Sequence, residues 1–169
     1  AYSGRGHFAL EAFDVSEMVE RTARLLESTV SMKAALTLKL APGLPRIEAD
    51  ADQFRQVLVN LATNASDALG ERSGEITIRT GMLWAEAGEL SSLQAGQIMP
   101  AGFYVYLEVA DTGSGMDAET LGKIFEPFFT TKFTGRGLGL PAVMGIVRAH
   151  RGSIRVMSSV GQGTLVRVF

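Results

Sequence analysis

Apolar residues recur every three or four positions in three stretches of the chain, which is the spacing of an amphipathic helix. The first stretch opens at Asp14 and Glu17, a capping-box pair. The second begins after Asp50 and ends before Gly70, and the third covers residues 138–150. The apolar face predicted for the first helix consists of Val15, Met18, Val19, Ala23, Leu25, Leu26 and Val30.

Other stretches alternate apolar and polar residues or are rich in β-branched and aromatic ones, which predicts strands. They cover residues 8–13, 36–40, 46–48, 75–84, 103–110, 153–158 and 164–169, and Gly161 and Gly163 suit a hairpin turn between the last two. A short helix capped by Asp117 and reaching Phe125 is also predicted, with loops over residues 86–101 and 126–137. This mixture, without regular βαβ alternation, predicts an α+β fold: a two-layer α/β sandwich with one mixed sheet packed on about three helices.

The composition narrows the possible functions. The chain of 169 residues contains no cysteine, which excludes disulfides, thiolate metal sites and cysteine nucleophiles. The formal net charge is −2 and both signs are scattered, so neither nucleic-acid binding nor direct membrane contact is indicated. No apolar run approaches ~20 residues, so no membrane span is predicted. An anion-binding site would have to be built locally.

A polar stripe runs along the second predicted helix. Gln53, Gln56, Asn60, Asn64 and Asp67 recur every three or four residues and therefore share one face. Asn is a poor helix former, so two of them one turn apart inside a helix indicate a use beyond solvation. An amide oxygen is a neutral ligand that suits Mg²⁺. From the pattern alone, a plain solvent-facing stripe is the alternative.

Asp111 follows a predicted strand and begins the run Asp-Thr-Gly-Ser-Gly. Gly113 and Gly115 allow a sharp turn and the close approach of a ligand to the backbone. A buried carboxylate there needs a donor partner, and an adenine amino group would serve. The run also resembles the active-site turn of aspartic proteases, in which two such carboxylates share one proton. That alternative expects a nearly all-β chain.

Gly135, Gly137 and Gly139 alternate just before the third predicted helix. Backbone N–H groups at a helix start, with glycines that permit close contact, form a phosphate cradle. The spacing is neither that of a Rossmann fingerprint nor that of a P-loop. Lys132 and Arg136 are placed to neutralise phosphate charge. A flexible lid hinge is a compatible alternative.

Together these segments resemble the catalytic and ATP-binding domain of sensor histidine kinases, part of a wider ATPase group that includes type II topoisomerases and a heat-shock chaperone family. The resemblance covers nearly the whole chain and rests on residues 60–64, 111–115, 125–129 and 135–140 and on the pair Gly163-Thr164. The run Phe-Glu-Pro-Phe-Phe-Thr-Thr-Lys looks most like the nitrogen-regulatory branch of these kinases. The family implies a Bergerat-type sandwich that binds ATP with Mg²⁺.

The resemblance also implies roles for single residues. Asn64 would ligate Mg²⁺, Asn60 would support the phosphate side, Asp111 would accept from the adenine amino group, and Thr164 would help hold adenine through water. Gly137 and Gly139 would open the backbone to the phosphates. The nucleotide site as a whole would be lined by Asn60, Asn64, Asp67, Asp111, Gly113, Gly115, Met116, Phe125, Thr130, Thr131, Lys132, Gly135, Arg136, Gly137, Leu138, Gly139, Leu140 and Thr164.

The chain departs from the family pattern at two positions. Many histidine kinases carry a basic residue three positions after the Mg²⁺-ligating Asn, where this chain has Asp67. Hydrolytic members place a carboxylate four positions before that Asn, where this chain has Asn60, whose amide is not basic at neutral pH. Phosphoryl transfer is therefore expected rather than fast ATP hydrolysis.

The family's phosphate acceptor is a histidine on a preceding helical hairpin, usually followed by an acidic residue. His7 is followed by Phe8 and His150 by Arg151, so neither fits. Residues 1–7 are interpreted as a remnant of the preceding helix or linker, and residues 8–169 as the catalytic domain. The expected partners are the dimerisation hairpin of the same protein and a response-regulator receiver domain. The expected location of the domain is the cytoplasm, which is compatible with a parent protein that is anchored in the membrane. A degenerate nucleotide-binding or protein-interaction module with little turnover is the alternative.

Overall fold

The computed structural model describes residues 9–28, 30, 34–90, 98–129 and 139–169. Along these residues the elements are β1 (Leu10–Phe13), α1 (Val15–Leu26), β2 (Ala34–Lys39), β3 (Ile47–Asp50), α2 (Ala51–Leu69), β4 (Gly74–Ala85), β5 (Gly102–Asp111), α3 (Ala118–Lys123), α4 (Gly139–Ala149), β6 (Ile154–Ser159) and β7 (Gly163–Val168). Each predicted helix and strand is present, and the ends differ by a few residues. The short helix expected to reach Phe125, for example, ends at Lys123.

The described strands form two sheets. The larger has the order β2-β4-β5-β7-β6, in which β2 pairs parallel with β4 and all other neighbours are antiparallel. The smaller sheet pairs β1 with β3. The register places Asp111, at the end of β5, between Ile76 on β4 and Thr164 on β7. The candidate carboxylate therefore lies in the middle of the sheet, at one end of its central strand.

One face of the large sheet packs against α1, α2 and α4 to form the main core, which confirms the predicted two-layer α+β sandwich. Its buried residues are Val15, Val19, Leu26, Val30, Val57, Leu58, Leu61, Ala62, Ala65, Leu69, Ile76, Ile78, Leu107, Val109, Val143, Met144, Val147, Ile154 and Val166. The prediction for Leu25 is wrong, because its side chain is 65% exposed. At about 100° per residue it lies at the edge of the helix face that the core residues of α1 occupy, beyond the reach of the sheet.

The opposite face of the sheet carries a cluster of three charged residues around one buried carboxylate, which the sequence alone does not indicate. Glu108 on β5 is 1% exposed and lies in register between Arg79 on β4 and Arg167 on β7. Arg79 Nη1 donates to one carboxylate oxygen at 2.9 Å, and Arg167 Nε donates to the other at 2.7 Å. The Arg167 guanidinium also lies 4.7 Å from the centroid of the Tyr106 ring. Both oxygens of the buried carboxylate are thus satisfied.

The aspartic-protease alternative from the sequence can be compared with this fold. The helices α1, α2 and α4 are incompatible with the nearly all-β chain that an aspartic protease requires. Among the described helices, none combines the length and apolar character needed to cross a bilayer.

Candidate functional site

The asparagine pair lies where α2 meets the start of α4. Asn60 and Asn64 are both half-buried, between the core face of α2 and its exposed face. A Cβ added to Gly139, the first residue of α4, would lie 3.5 Å from both the oxygen and the nitrogen of the Asn64 amide. The first turn of a helix has N–H groups without intrahelical partners. The Asn64 amide therefore lies against a helix start, which is a favourable position for an anion and its counter-ion.

The aspartate turn is fixed by hydrogen bonds on both sides. Asp111 Oδ1 accepts from the Gly113 N–H at 2.8 Å, which closes a tight turn directly after β5. Thr112 pairs with Glu75 on β4 through its N–H and its hydroxyl, at 3.1 Å and 3.0 Å. The half-buried Asp111 carboxylate is therefore held by local backbone geometry at the end of the sheet.

The same turn is anchored to α2. The Ser114 N–H donates to the Ala68 carbonyl at 3.0 Å, and a Cβ on Gly113 would come within 2.6 Å of that carbonyl. Gly113 is buried, so only a glycine permits this approach. Ala68 lies one helical turn beyond Asn64, about 6 Å along the axis. The fold thus brings the Asn64 amide, the start of α4 and the aspartate turn to one edge of α2.

The β6–β7 hairpin closes the site from the side of the sheet. Thr164 is the register partner of Asp111, and neighbouring partners on adjacent strands present their side chains on one face. Gly163 has φ +94°, and a Cβ there would meet the Asp111 carbonyl oxygen at 1.9 Å. Gly115 has φ +64°, and a Cβ there would meet the Ser159 carbonyl oxygen at 1.9 Å. Two glycines therefore allow the aspartate turn and the hairpin to lie in contact.

The remaining predicted residues fall into three groups. Met116 is half-buried beside the hairpin, and Phe125 and Leu140 are partly buried against the main core. Asp67 is exposed on α2, three positions after Asn64. Seven further residues lie outside the described residues, namely Thr130, Thr131, Lys132, Gly135, Arg136, Gly137 and Leu138.

Among the residues that the structure describes, few are available to hold a metal ion at this site. Within the described ranges no group of three or more His, Cys, Asp or Glu side chains is placed to hold a metal ion. A metal at this site would therefore take the neutral Asn64 amide as its protein ligand and obtain its other ligands from phosphates and water, which is the mode of binding that Mg²⁺ favours.

A separate apolar cavity of about 450 Å³ lies at the other end of the central strand. Its walls include Phe54 and Val57 on α2, Val105 on β5, Ile146 on α4 and Val168 on β7. None of the residues predicted for the nucleotide site borders it. The cavity leaves no signal in the sequence, because it forms between elements that are distant along the chain and each of which has the apolar pattern of an ordinary core element.

Comparison with known proteins identifies the family of the chain. Residues 49–169 match the family described as histidine kinase-, DNA gyrase B- and HSP90-like ATPase. The sensor kinase CckA of Brucella abortus (strain 2308) is 40% identical over 171 aligned positions, covering 100% of this chain and 18% of that protein. The sensor histidine kinase ZraS of Klebsiella oxytoca is 38% identical over 160, covering 94% of this chain and 31% of that protein. The chain therefore spans less than a third of the length of these relatives.

Solved structures show the same fold. Full-length ShkA in complex with AMPPNP superposes with a TM-score of 0.72 at 27% identity, covering 95% of this chain and 30% of that one. Histidine kinase ThkA in complex with the response regulator protein TrrA gives a TM-score of 0.68 at 23% identity, covering 95% of this chain and 41% of that one. The family match, the relatives and the fold agree, and the chain belongs to the histidine kinase-, DNA gyrase B- and HSP90-like ATPase family, with sensor histidine kinases among its relatives.

Proposed function

We propose that this chain is the Mg-ATP-binding catalytic domain of a sensor histidine kinase, which transfers the γ-phosphoryl group to a histidine on a separate helical hairpin. The observation that supports this most is the convergence of three unlike groups on α2: the Asn64 amide, the start of α4 and the turn that holds Asp111. Beside α2, the Asp111 carboxylate can accept a hydrogen bond from a base, and the start of α4 offers N–H donors to phosphates. These two groups fit the two ends of a nucleotide.

The proposed roles follow from the chemistry of each group. The Asp111 carboxylate accepts from the amino group of adenine, and the half-buried setting makes that hydrogen bond selective. The first N–H groups of α4 face the phosphates, and Gly139 lets them approach. Asn64 would hold Mg²⁺, which when bound neutralises phosphate charge. Phe125, which follows α3, and Leu140 in α4 pack against the main core.

The residues favour phosphoryl transfer over hydrolysis. Activation of water requires a group that takes up a proton, and Asn60 offers an amide that does not do so at neutral pH. Transfer requires positioning and charge stabilisation, with little covalent chemistry from the protein. The lone pair of an imidazole nitrogen of the acceptor forms the new P–N bond to the γ-phosphorus. At the same time the bond from the γ-phosphorus to the β–γ bridging oxygen of ATP breaks, and ADP leaves with that oxygen and its electron pair. In the intact protein, the phosphoryl group would then pass to a response-regulator aspartate, a partner class that ThkA binds in its solved complex.

Nucleotide binding is the direct test. Isothermal titration calorimetry of the full chain with ADP, with and without Mg²⁺, should show binding that Mg²⁺ strengthens. Asp111→Asn should weaken ADP binding about 10-fold to 100-fold in both conditions. It replaces a charged acceptor by a neutral amide, and if the amide oxygen accepts from the Gly113 N–H, the NH2 group faces the adenine amino group, donor against donor. Asn64→Ala should remove chiefly the increase that Mg²⁺ produces.

Gln56→Ala is the matched control, since it removes an exposed amide from the same stripe of α2. It should leave both affinities unchanged. Folded protein that binds no ADP would refute the proposal, and equal losses for Asn64→Ala with and without Mg²⁺ would refute the metal role.

A further inference from the structure

The hydroxyl of Ser158 lies at the junction of the aspartate turn and the β6–β7 hairpin, where it meets three polar groups. The Met116 N–H donates to Ser158 Oγ at 2.9 Å. The same oxygen lies 3.1 Å from the Gly163 carbonyl oxygen and 2.8 Å from Thr164 Oγ1. Ser158 and Thr164 are register partners on β6 and β7, so their side chains share one face.

Counting protons assigns a direction to each contact. A hydroxyl has one proton to donate and two lone pairs to accept with. Met116 occupies one lone pair of Ser158, and the Gly163 carbonyl can only accept, so it takes the Ser158 proton. The second lone pair of Ser158 must then accept the proton of Thr164. This is the assignment that satisfies all three contacts together.

The consequence falls on Thr164. The only proton of the Thr164 hydroxyl is donated to Ser158 Oγ. The hydroxyl can therefore only accept hydrogen bonds from a ligand that binds beside it. Asp111, its register partner on β5, carries a carboxylate that also accepts. Two side chains that accept hydrogen bonds therefore lie next to each other at the end of the sheet.

From this we infer that Ser158 is a positioning residue for nucleotide selectivity: it fixes the Thr164 hydroxyl so that the base site favours a 6-amino purine over a 6-oxo purine. A 6-amino group brings N–H donors to the two acceptors. A 6-oxo group donates no proton to either acceptor and instead sets a third acceptor against them, which is the costly outcome in a half-buried site. The inference rests on the proposed nucleotide site and adds a residue that does not itself contact the base.

The test compares ADP with IDP, in which a 6-oxo group replaces the 6-amino group of the purine and the neighbouring ring nitrogen N1 carries a proton. Calorimetry of the full chain with Mg²⁺ would measure both affinities for the wild type and for Ser158→Ala. Removing the hydroxyl frees the Thr164 proton to donate outward and leaves the Met116 N–H without its acceptor. We expect ADP affinity to fall about tenfold, as for one hydrogen bond, while IDP affinity falls much less. The ADP-to-IDP preference should therefore shrink.

Three further variants sharpen the result. Ser158→Thr keeps the hydroxyl and suits a strand, so it should restore the ADP-to-IDP preference. Ser159→Ala makes the same chemical change one residue along, on an exposed side chain, and should alter neither affinity. Thr164→Val removes the oriented hydroxyl itself, so it should also lose preference, and adding Ser158→Ala to it should change little more.

The outcomes separate this inference from the proposed function. A folded wild type that binds neither ADP nor IDP would refute the nucleotide site and the inference with it. Wild-type binding of ADP, with Ser158→Ala lowering both affinities equally, would show a purely structural role for Ser158 and overturn the inference alone. An unchanged preference in folded Thr164→Val would overturn it as well, independently of whether Ser158→Ala folds.

Discussion

Gly115 allows a backbone path that no other residue type could follow without displacement. Its φ is +64°, and an added Cβ would come within 1.9 Å of the Ser159 carbonyl oxygen, which belongs to the backbone of β6. The Gly161 N–H donates to the Ser114 carbonyl at 2.7 Å beside it, so the turn and the hairpin are locked together at this point. The site therefore depends on the absence of a side chain at Gly115.

Gly115→Ala should consequently destabilise the chain and disturb the site. We expect the free energy of unfolding to fall by about 2 kcal/mol or more, from left-handed strain and backbone displacement together. Urea unfolding measures this loss. Gly145→Ala is the matched control: an added Cβ on this exposed residue of α4 meets nothing within 4 Å, and Ala should stabilise the helix by about 0.5 to 1 kcal/mol. Equal stability in the two variants would contradict the interpretation of Gly115.

Glu108 shows the limit of single-residue reasoning from sequence. Alternation along β5 places it on the sheet face away from the helices, where a charged residue is ordinarily exposed. It is instead buried, because the register aligns Arg79 and Arg167 on its two sides. Nothing in the local sequence indicates which strands flank β5.

At the scale of elements, the predicted N-caps are confirmed. Asp14 accepts from the N–H groups of Ser16 and Glu17, and Asp117 accepts from that of Thr120. Asp50 accepts from Asp52 and Gln53 at the start of α2 and also from Ala9, next to β1. Caps are predictable because their donors lie within three residues of the acceptor.

The Asp50 cap should make stability depend on pH. The Gln53 N–H lowers the pKa of the Asp50 carboxyl below its usual 3.8, with further lowering by the N–H groups of Ala9 and Asp52. Because the pKa of this carboxyl is lower in the folded state than in the unfolded state, its ionised form stabilises the fold fully at pH values above the unfolded-state pKa. This stability is lost as the pH falls through the folded pKa.

Asp50→Asn keeps a capping oxygen but does not titrate. Urea unfolding of this variant between pH 6 and pH 2, a range that spans roughly the usual pKa of Asp, should show a smaller loss of stability on acidification than the wild type shows. A variant whose free energy of unfolding falls with pH as steeply as that of the wild type would contradict the assigned role.

At the scale of the whole molecule, the described histidine is poorly placed to accept phosphate. His150 Nε2 accepts from the Asp50 N–H at 3.1 Å, and Nδ1 lies 2.9 Å from the Ile146 carbonyl oxygen. Both ring nitrogens are therefore engaged, Nδ1 as the donor. His150 also lines the apolar cavity, at the end of the sheet away from Asp111.

We therefore expect no acid-labile phosphate on the chain when it is incubated alone with γ-labelled ATP and Mg²⁺. A histidine-bearing dimerisation hairpin of the same kinase, added as a separate protein, should become labelled, and Asn64→Ala should slow that labelling. The Gln56→Ala variant should label the hairpin at the wild-type rate. Label on His150 itself, or a hairpin that stays unlabelled in the presence of chain that binds nucleotide, would contradict phosphoryl transfer as proposed.

The sequence by itself determined the helices, strands and caps and the α+β class, because periodicity and capping act over a few residues. It also indicated the chemistry of Asn64 and Asp111, since Asn inside a helix and an acid before two glycines are locally unusual. Only the tertiary structure decided that the turn after Asp111 packs against Ala68, one helical turn beyond Asn64, that Thr164 stands beside Asp111, and that Glu108 is buried. Those facts depend on strand order and register, which are set by packing between segments far apart in the chain.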